Sequence, residues 1–204
     1  MRSLLVAVAA AAALSAPAYA QAPAPAPAAT YGVDKTHASL TWKALHNGLS
    51  WYTARFTKFD VQVDFNEADV SKSKVTASVD VKSIETDFAR TRAAGNTTDF
   101  NTELGGERFL NAAKFPQATF ASTAISKTGD KTGKMTGNLT LFGVTKPVTF
   151  DVSYVGNRYD PRSQKHKIGF QAVGSFKRSD FGVTPGGPLG DEIKLEINAE
   201  LIQK

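Results

Sequence analysis

The side chains able to act as acid, base or metal ligand are few. The histidines are His37, His46 and His166, and the chain contains no cysteine. None lies at an i, i+4 helical spacing and no cysteine or carboxylate cluster accompanies them at metal-ligand spacing, so no metal site is expected. Asp34 and His37 are close enough to meet as a local hydrogen-bonded pair. A hydrolase built on that pair would also need a nucleophile or a metal, and no Gly-x-Ser-x-Gly elbow is present. Gly105-Gly106 and Gly186-Gly187 lack the strand–helix setting of a phosphate loop. His166 lies between Lys165 and Lys167 near a turn. The reading is a non-enzyme without cofactor, in which Asp34, His37 and His46 orient the rim around the first strand.

The conspicuous side chains are apolar instead: 13 Phe against 5 Tyr and 2 Trp. Phenylalanine offers bulk without a polar handle. These rings fall on alternating faces of period-two segments, the mark of half-buried strands. Ala38, Leu40, Trp42 and Ala44 share one side of a first strand. Phe59 to Phe65, Val75 to Val81 and Gln117 to Ile125 give three more. Met135 to Leu141, Val148 to Tyr154, Ile168 to Phe176 and Ile193 to Leu201 complete eight. Thr128 to Gly133 and Asp160-Pro161 read as hairpin turns. The buried-side candidates are Trp42, Phe59, Phe120, Met135, Leu139, Leu141, Phe150, Val152, Phe170, Phe176 and Leu195.

Two segments break the rhythm. Asp87 to Pro116 is the longer, with Glu103 to Ala113 its best stretch for short helical turns; Ser179 to Gly190 is rich in glycine and proline. Long loops within compact domains are usually functional or packed caps. Eight antiparallel strands with one apolar face each suit a barrel or a two-sheet sandwich, and periodicity leaves both open. A barrel of that size can be filled by side chains or hold one small ligand.

Arg2, the apolar run from Leu4 to Leu14 and Ala18-Tyr19-Ala20 predict a cleavable export leader over residues 1–20, hence a periplasmic protein. The apolar run is roughly half the ~20 residues that a membrane-spanning helix needs. Residues 21–30 alternate proline with alanine and read as a semi-rigid spacer, so the domain is expected over 31–204. The net charge of +5 is modest, and Lys and Arg are scattered along the sequence among acidic residues. Nucleic-acid binding calls for a concentrated basic patch; a mild, transient attraction to an anionic membrane surface fits this charge.

Several motifs recur in fixed order: Asp34-x-x-His37, His46-x-Gly48, Arg55-Phe56-x-x-Phe59, Ser83-Ile84-x-Thr86, and Arg108 through Phe115-Pro116 into Thr119-Phe120. The most specific are Thr136-Gly137-Asn138-Leu139-Thr140-Leu141-Phe142-Gly143-Val144-Thr145-Lys146-Pro147-Val148 and Lys177-Arg178-Ser179-Asp180-Phe181-Gly182. Together, from Tyr31 to Gln203, they resemble the YceI-like family of bacterial polyisoprenoid-binding proteins. One stretch departs: where many members carry Arg-Asp-x-His-Leu, this chain has Arg92-Ala93-Ala94-Gly95-Asn96.

The resemblance implies an all-β, eight-stranded antiparallel, lipocalin-like barrel with short helical turns in Asp87–Pro116. It implies a lumen for a long isoprenoid lipid, a quinone-type molecule or a similar amphiphile, and no enzyme activity. Such a lipid exposes roughly 0.8 kcal/mol of unfavourable surface per methylene in water. The rival readings are a solid-core periplasmic stress or interaction module, and a small outer-membrane barrel with the alternation turned outward.

Overall fold

The computed structural model describes residues 24–88, 94–184 and 187–204. The expected leader (1–20), the start of the spacer (21–23), Arg92-Ala93 and Gly186 lie outside the described residues. Ten strands follow one another: β1 (Ala29–His46), β2 (Ser50–Phe56), β3 (Phe59–Phe65), β4 (Lys74–Asp80), β5 (Ile84–Thr86), β6 (Gln117–Lys127), β7 (Thr132–Leu141), β8 (Val144–Asp160), β9 (Lys165–Lys177) and β10 (Leu189–Gln203). Helix α1 spans Phe100–Gly105.

All pairings are antiparallel, and the sheet closes. From β1 the wall runs through β10, β9, β8, β7, β6, β4 and β3 back to β1. The two extra strands do not change this eight-stranded architecture. β1 pairs with β3 through Ala29 to Gly32 and with β2 through Leu40 to His46, so β2 and β3 share one position in the wall. β4 and β5 share the next, broken by a 3-10 turn at Val81–Ser83. Ser83 stitches both breaks: its hydroxyl accepts the Lys58 N–H (3.0 Å) and donates to the Asp80 carbonyl (2.7 Å). Its own carbonyl accepts the Thr57 N–H at 3.0 Å.

The alternation faces inward. Leu40, Trp42 and Ala44 are buried while Thr41 and Lys43 point out, and Lys43 pairs across the outer wall with Glu196 at 3.8 Å. An outer-membrane barrel would present an apolar band there; this wall presents charge, which sets that reading aside.

Three apolar clusters pack inside the barrel. Tyr31, Val63, Phe65, Ile168 and Leu201 pack where β1 begins. Trp42, Ala44, Ala54, Ile84 and Leu104 pack where it ends, under α1. Phe120, Met135, Leu139, Val148, Phe150 and Phe181 line the β6–β8 wall.

Two boundaries differ from the sequence expectation. The chain joins the fold before Tyr31: β1 starts at Ala29, and Ala26, within the proline–alanine tract, is only 5% exposed. The helix begins at Phe100 rather than near Glu103, because Asp99 caps it by accepting the Thr102 N–H at 3.1 Å. Asn101 then ties it to the barrel by accepting the Thr86 N–H (2.9 Å) and hydroxyl (2.7 Å).

Candidate ligand-binding lumen

Inside the barrel lies a cavity of about 390 Å³, within the range typical of ligand sites. Of the eleven candidates, Phe59, Phe120, Met135, Leu139, Phe150, Val152, Phe170 and Leu195 line it. Trp42, Leu141 and Phe176 do not. Trp42 lies in the cluster under α1, Leu141 backs the β6–β8 wall, and Phe176 stacks edge-on against Phe181 at 5.1 Å. The physical reason is height: alternation fixes which face a residue takes but not its level along the axis, and the covered end of the barrel is filled.

A phenylalanine-rich wall leaves room because two rings lie flat over glycines. Phe150 is paired directly with Gly174, where a β-carbon would come within 2.7 Å of the ring. A β-carbon at Gly137 would collide with the Phe120 ring. The two rings meet edge to face at 5.4 Å, the favoured aromatic geometry. They pave the wall instead of crossing the lumen.

The opposite end reaches solvent. There the cavity is bounded by Val70 and Ser73 of the β3–β4 connection and by Ser126 to Gly133 of the β6–β7 hairpin, whose Lys127, Asp130 and Lys131 are exposed. The sequence reading missed the one half-buried acid in this lining, Glu67. Its Oε2 accepts the Ala26 N–H at 2.5 Å and the Tyr154 hydroxyl at 3.3 Å, and Asn157 Nδ2 donates to the Tyr154 oxygen at 3.0 Å. Glu67 therefore fastens the N-terminal segment beside the mouth. No local motif marks it, since its partners are 41 and 87 residues away.

Burial pushes the Tyr154 hydroxyl up to about 12; the Asn157 donor opposes this and Glu67 adds to it. Burial and then Glu67 likewise raise Tyr31. The sign follows from linkage: the folded Tyr154 binds its proton more tightly than an unfolded one at 10.0. Its contribution is complete below pH 10 and fades as pH rises toward 12. Tyr154→Phe is expected to flatten the alkaline loss of stability in urea titrations between those limits; an unchanged slope would remove Tyr154 from that role.

The residues expected to orient the rim, Asp34, His37 and His46, lie outside the lumen lining. Opposite Glu200, β1 bulges: its register with β10 jumps from Val33↔Leu201 to Ala38↔Ala199. The bulge is locked by Asp34, whose Oδ1 accepts the Thr36 hydroxyl (2.6 Å) and N–H (3.0 Å) and whose Oδ2 lies 2.9 Å from His37 Nδ1. The Thr36 hydroxyl first, then His37, holds the Asp34 carboxyl far below its usual range. The local pair thus forms, but neither residue lines the cavity. Glu200 is near enough for the three to offer ligand atoms within 4.8 Å of one another; both Asp34 oxygens already serve the bulge. His46 ends β1, where its carbonyl accepts the Leu49 N–H at 2.9 Å. It lines no part of the lumen either.

Comparison with known proteins agrees with this architecture. The family model for the YceI-like domain matches residues 31–201. Protein YceI of Salmonella arizonae is 40% identical over 179 residues, covering 86% of this chain and 88% of that protein. Among solved structures, Burkholderia cenocepacia BcnA superposes with a TM-score of 0.69 at 25% identity, over 84% of this chain and 99% of that one. The Campylobacter jejuni YCEI protein gives 0.63 at 31% identity, over 74% and 84%. Match length, identity and barrel topology agree: the chain belongs to the YceI-like family.

Proposed function

We propose that this protein binds one long isoprenoid chain, of polyprenyl or isoprenoid-quinone type, or a similar long-chain amphiphile in the barrel lumen. The observation that carries this is the cavity itself, walled by Phe, Val, Leu and Ile and reaching solvent at one end. Such a site needs shape and apolar surface rather than catalytic groups, and we read the protein as a binder with the lipid as ligand, not a cofactor. A Saccharophagus degradans domain whose structure is described as polyisoprenoid binding, and as implicated in plant cell wall breakdown, shares the fold with a TM-score of 0.59 at 12% identity.

The leader expected over residues 1–20 supports action in the periplasm, where a water-insoluble lipid needs a soluble container for transport, storage or stress response. Adding a polyprenol or an isoprenoid quinone to the purified protein, then separating by gel filtration, tests the reading. Close to one lipid per chain is expected in the protein peak; lipid eluting only as free aggregates would overturn it.

A further inference from the structure

The Lys and Arg residues scattered along the sequence converge in the fold. Three connections meet at the open end of the barrel: residues 66–74 between β3 and β4, 127–134 around the β6–β7 turn, and 155–167 around the β8–β9 turn. The Tyr154 N–H donates to the Lys131 carbonyl at 2.7 Å, joining the second to the third, and Val70 and Lys127 bound the same mouth. These segments hold nine of the 24 Lys and Arg but only four of the 19 Asp and Glu. Their net charge of +5 equals that of the whole chain, so the remainder is balanced.

Part of this charge is already spent on local pairs. Lys72 meets Asp69 at 3.2 Å, Lys134 meets Asp151 at 2.6 Å and Lys167 meets Asp160 at 3.8 Å. Lys74, Lys127, Lys131, Arg162 and Lys165 form no ion pair among the described residues and face solvent. Set among them are two exposed apolar side chains, Val155 at 68% and Tyr159 at 51%. The far end also exposes Leu49 and Trp51, but Lys194 covers the Trp51 ring at 3.8 Å.

We infer that the mouth end of the barrel is a docking surface for an anionic lipid bilayer, orienting the lumen toward the membrane. This rests on the lipid-binding reading above and deepens it by naming the surface from which cargo enters and leaves. Basic side chains near an anionic membrane each add roughly fivefold to binding, and a tyrosine with one polar end suits the headgroup layer. A nucleic acid would match the charge alone; the apolar mouth and Val155 beside the cations favour a bilayer.

The test is co-sedimentation of the purified protein with phosphatidylcholine vesicles, with and without phosphatidylglycerol. Binding at least about tenfold stronger to the anionic vesicles is expected, lost at high salt. Lys74→Glu with Arg162→Glu and Lys165→Glu, none of which lines the cavity, should abolish it, while Lys43→Glu with Lys177→Glu at the far end leaves it intact. Each variant is also loaded with polyprenol in solution and passed through gel filtration. Mouth-end variants that still carry lipid but no longer sediment support docking as a separate property. No preference for anionic vesicles, loss through the far-end variant, or binding to duplex DNA without binding to vesicles would each overturn the inference, whatever the lipid-loading result.

Discussion

Phe150→Glu is expected to abolish lipid retention and to cost the fold several kcal/mol. Phe150 is 4% exposed and lies over Gly174 with its ring edge-on to Phe120. Truncating a buried ring costs about 3–5 kcal/mol by itself, and a carboxylate in an apolar wall must either remain neutral or carry a heavy desolvation cost. Because loss of folding alone would also release lipid, a gentler partner is needed. Val152 lines the same cavity, and Val152→Thr keeps its shape while adding a hydroxyl that a bound hydrocarbon cannot satisfy. Desolvating that group costs about 1–3 kcal/mol on protein scales, so affinity should fall roughly tenfold in a quinone-binding titration. Unchanged affinity would place the ligand outside this wall.

Ala172→Trp separates a hollow barrel from a filled one. Ala172 is paired between Val152 and Ile197, and all three line the cavity. In a lumen of about 390 Å³ an indole occupies the space of the lipid rather than colliding with the wall. The variant is therefore expected to remain folded, with a urea midpoint close to that of the parent and no retained lipid. A solid core would respond oppositely, losing about 1–3 kcal/mol or more to overpacking. The solid-core rival thus predicts an unstable protein where the lipid reading predicts a stable, empty one.

The strands that alternate cleanly were legible in the sequence, and the two that were missed show what alternation requires. In β2 the inward side chains are Tyr52, Ala54 and Phe56, but Trp51 faces outward at 41% exposure and blurs the period. β5 is only three residues, Ile84–Thr86, too short to show any. Each is one half of a wall position, interrupted at Thr57-Lys58 for β2 and at Val81–Ser83 for β5, and such interruptions follow from long-range bonding through Ser83 rather than from local propensity.

The candidate site divides along similar lines. Face was readable for all eleven apolar residues; level was not, so Trp42, Leu141 and Phe176 were placed in a lumen that the packing beneath α1 and around Phe181 had already filled. Glu67 was invisible because its partners, Ala26 and Tyr154, come from distant parts of the chain. The charge pattern misled for the same reason: lysines and arginines spaced through three separate turns look dispersed in sequence and become one surface when the barrel closes.

The central claim is that the lumen holds a long apolar ligand. Its most direct measurement is native mass spectrometry of the protein purified without detergent from exporting cells, followed by organic extraction and identification of whatever is released. A single long-chain isoprenoid or closely related amphiphile bound one per chain, and missing from Ala172→Trp, is the predicted result. Parent protein at its bare polypeptide mass, with nothing extractable and no uptake of added polyprenol, would contradict the account.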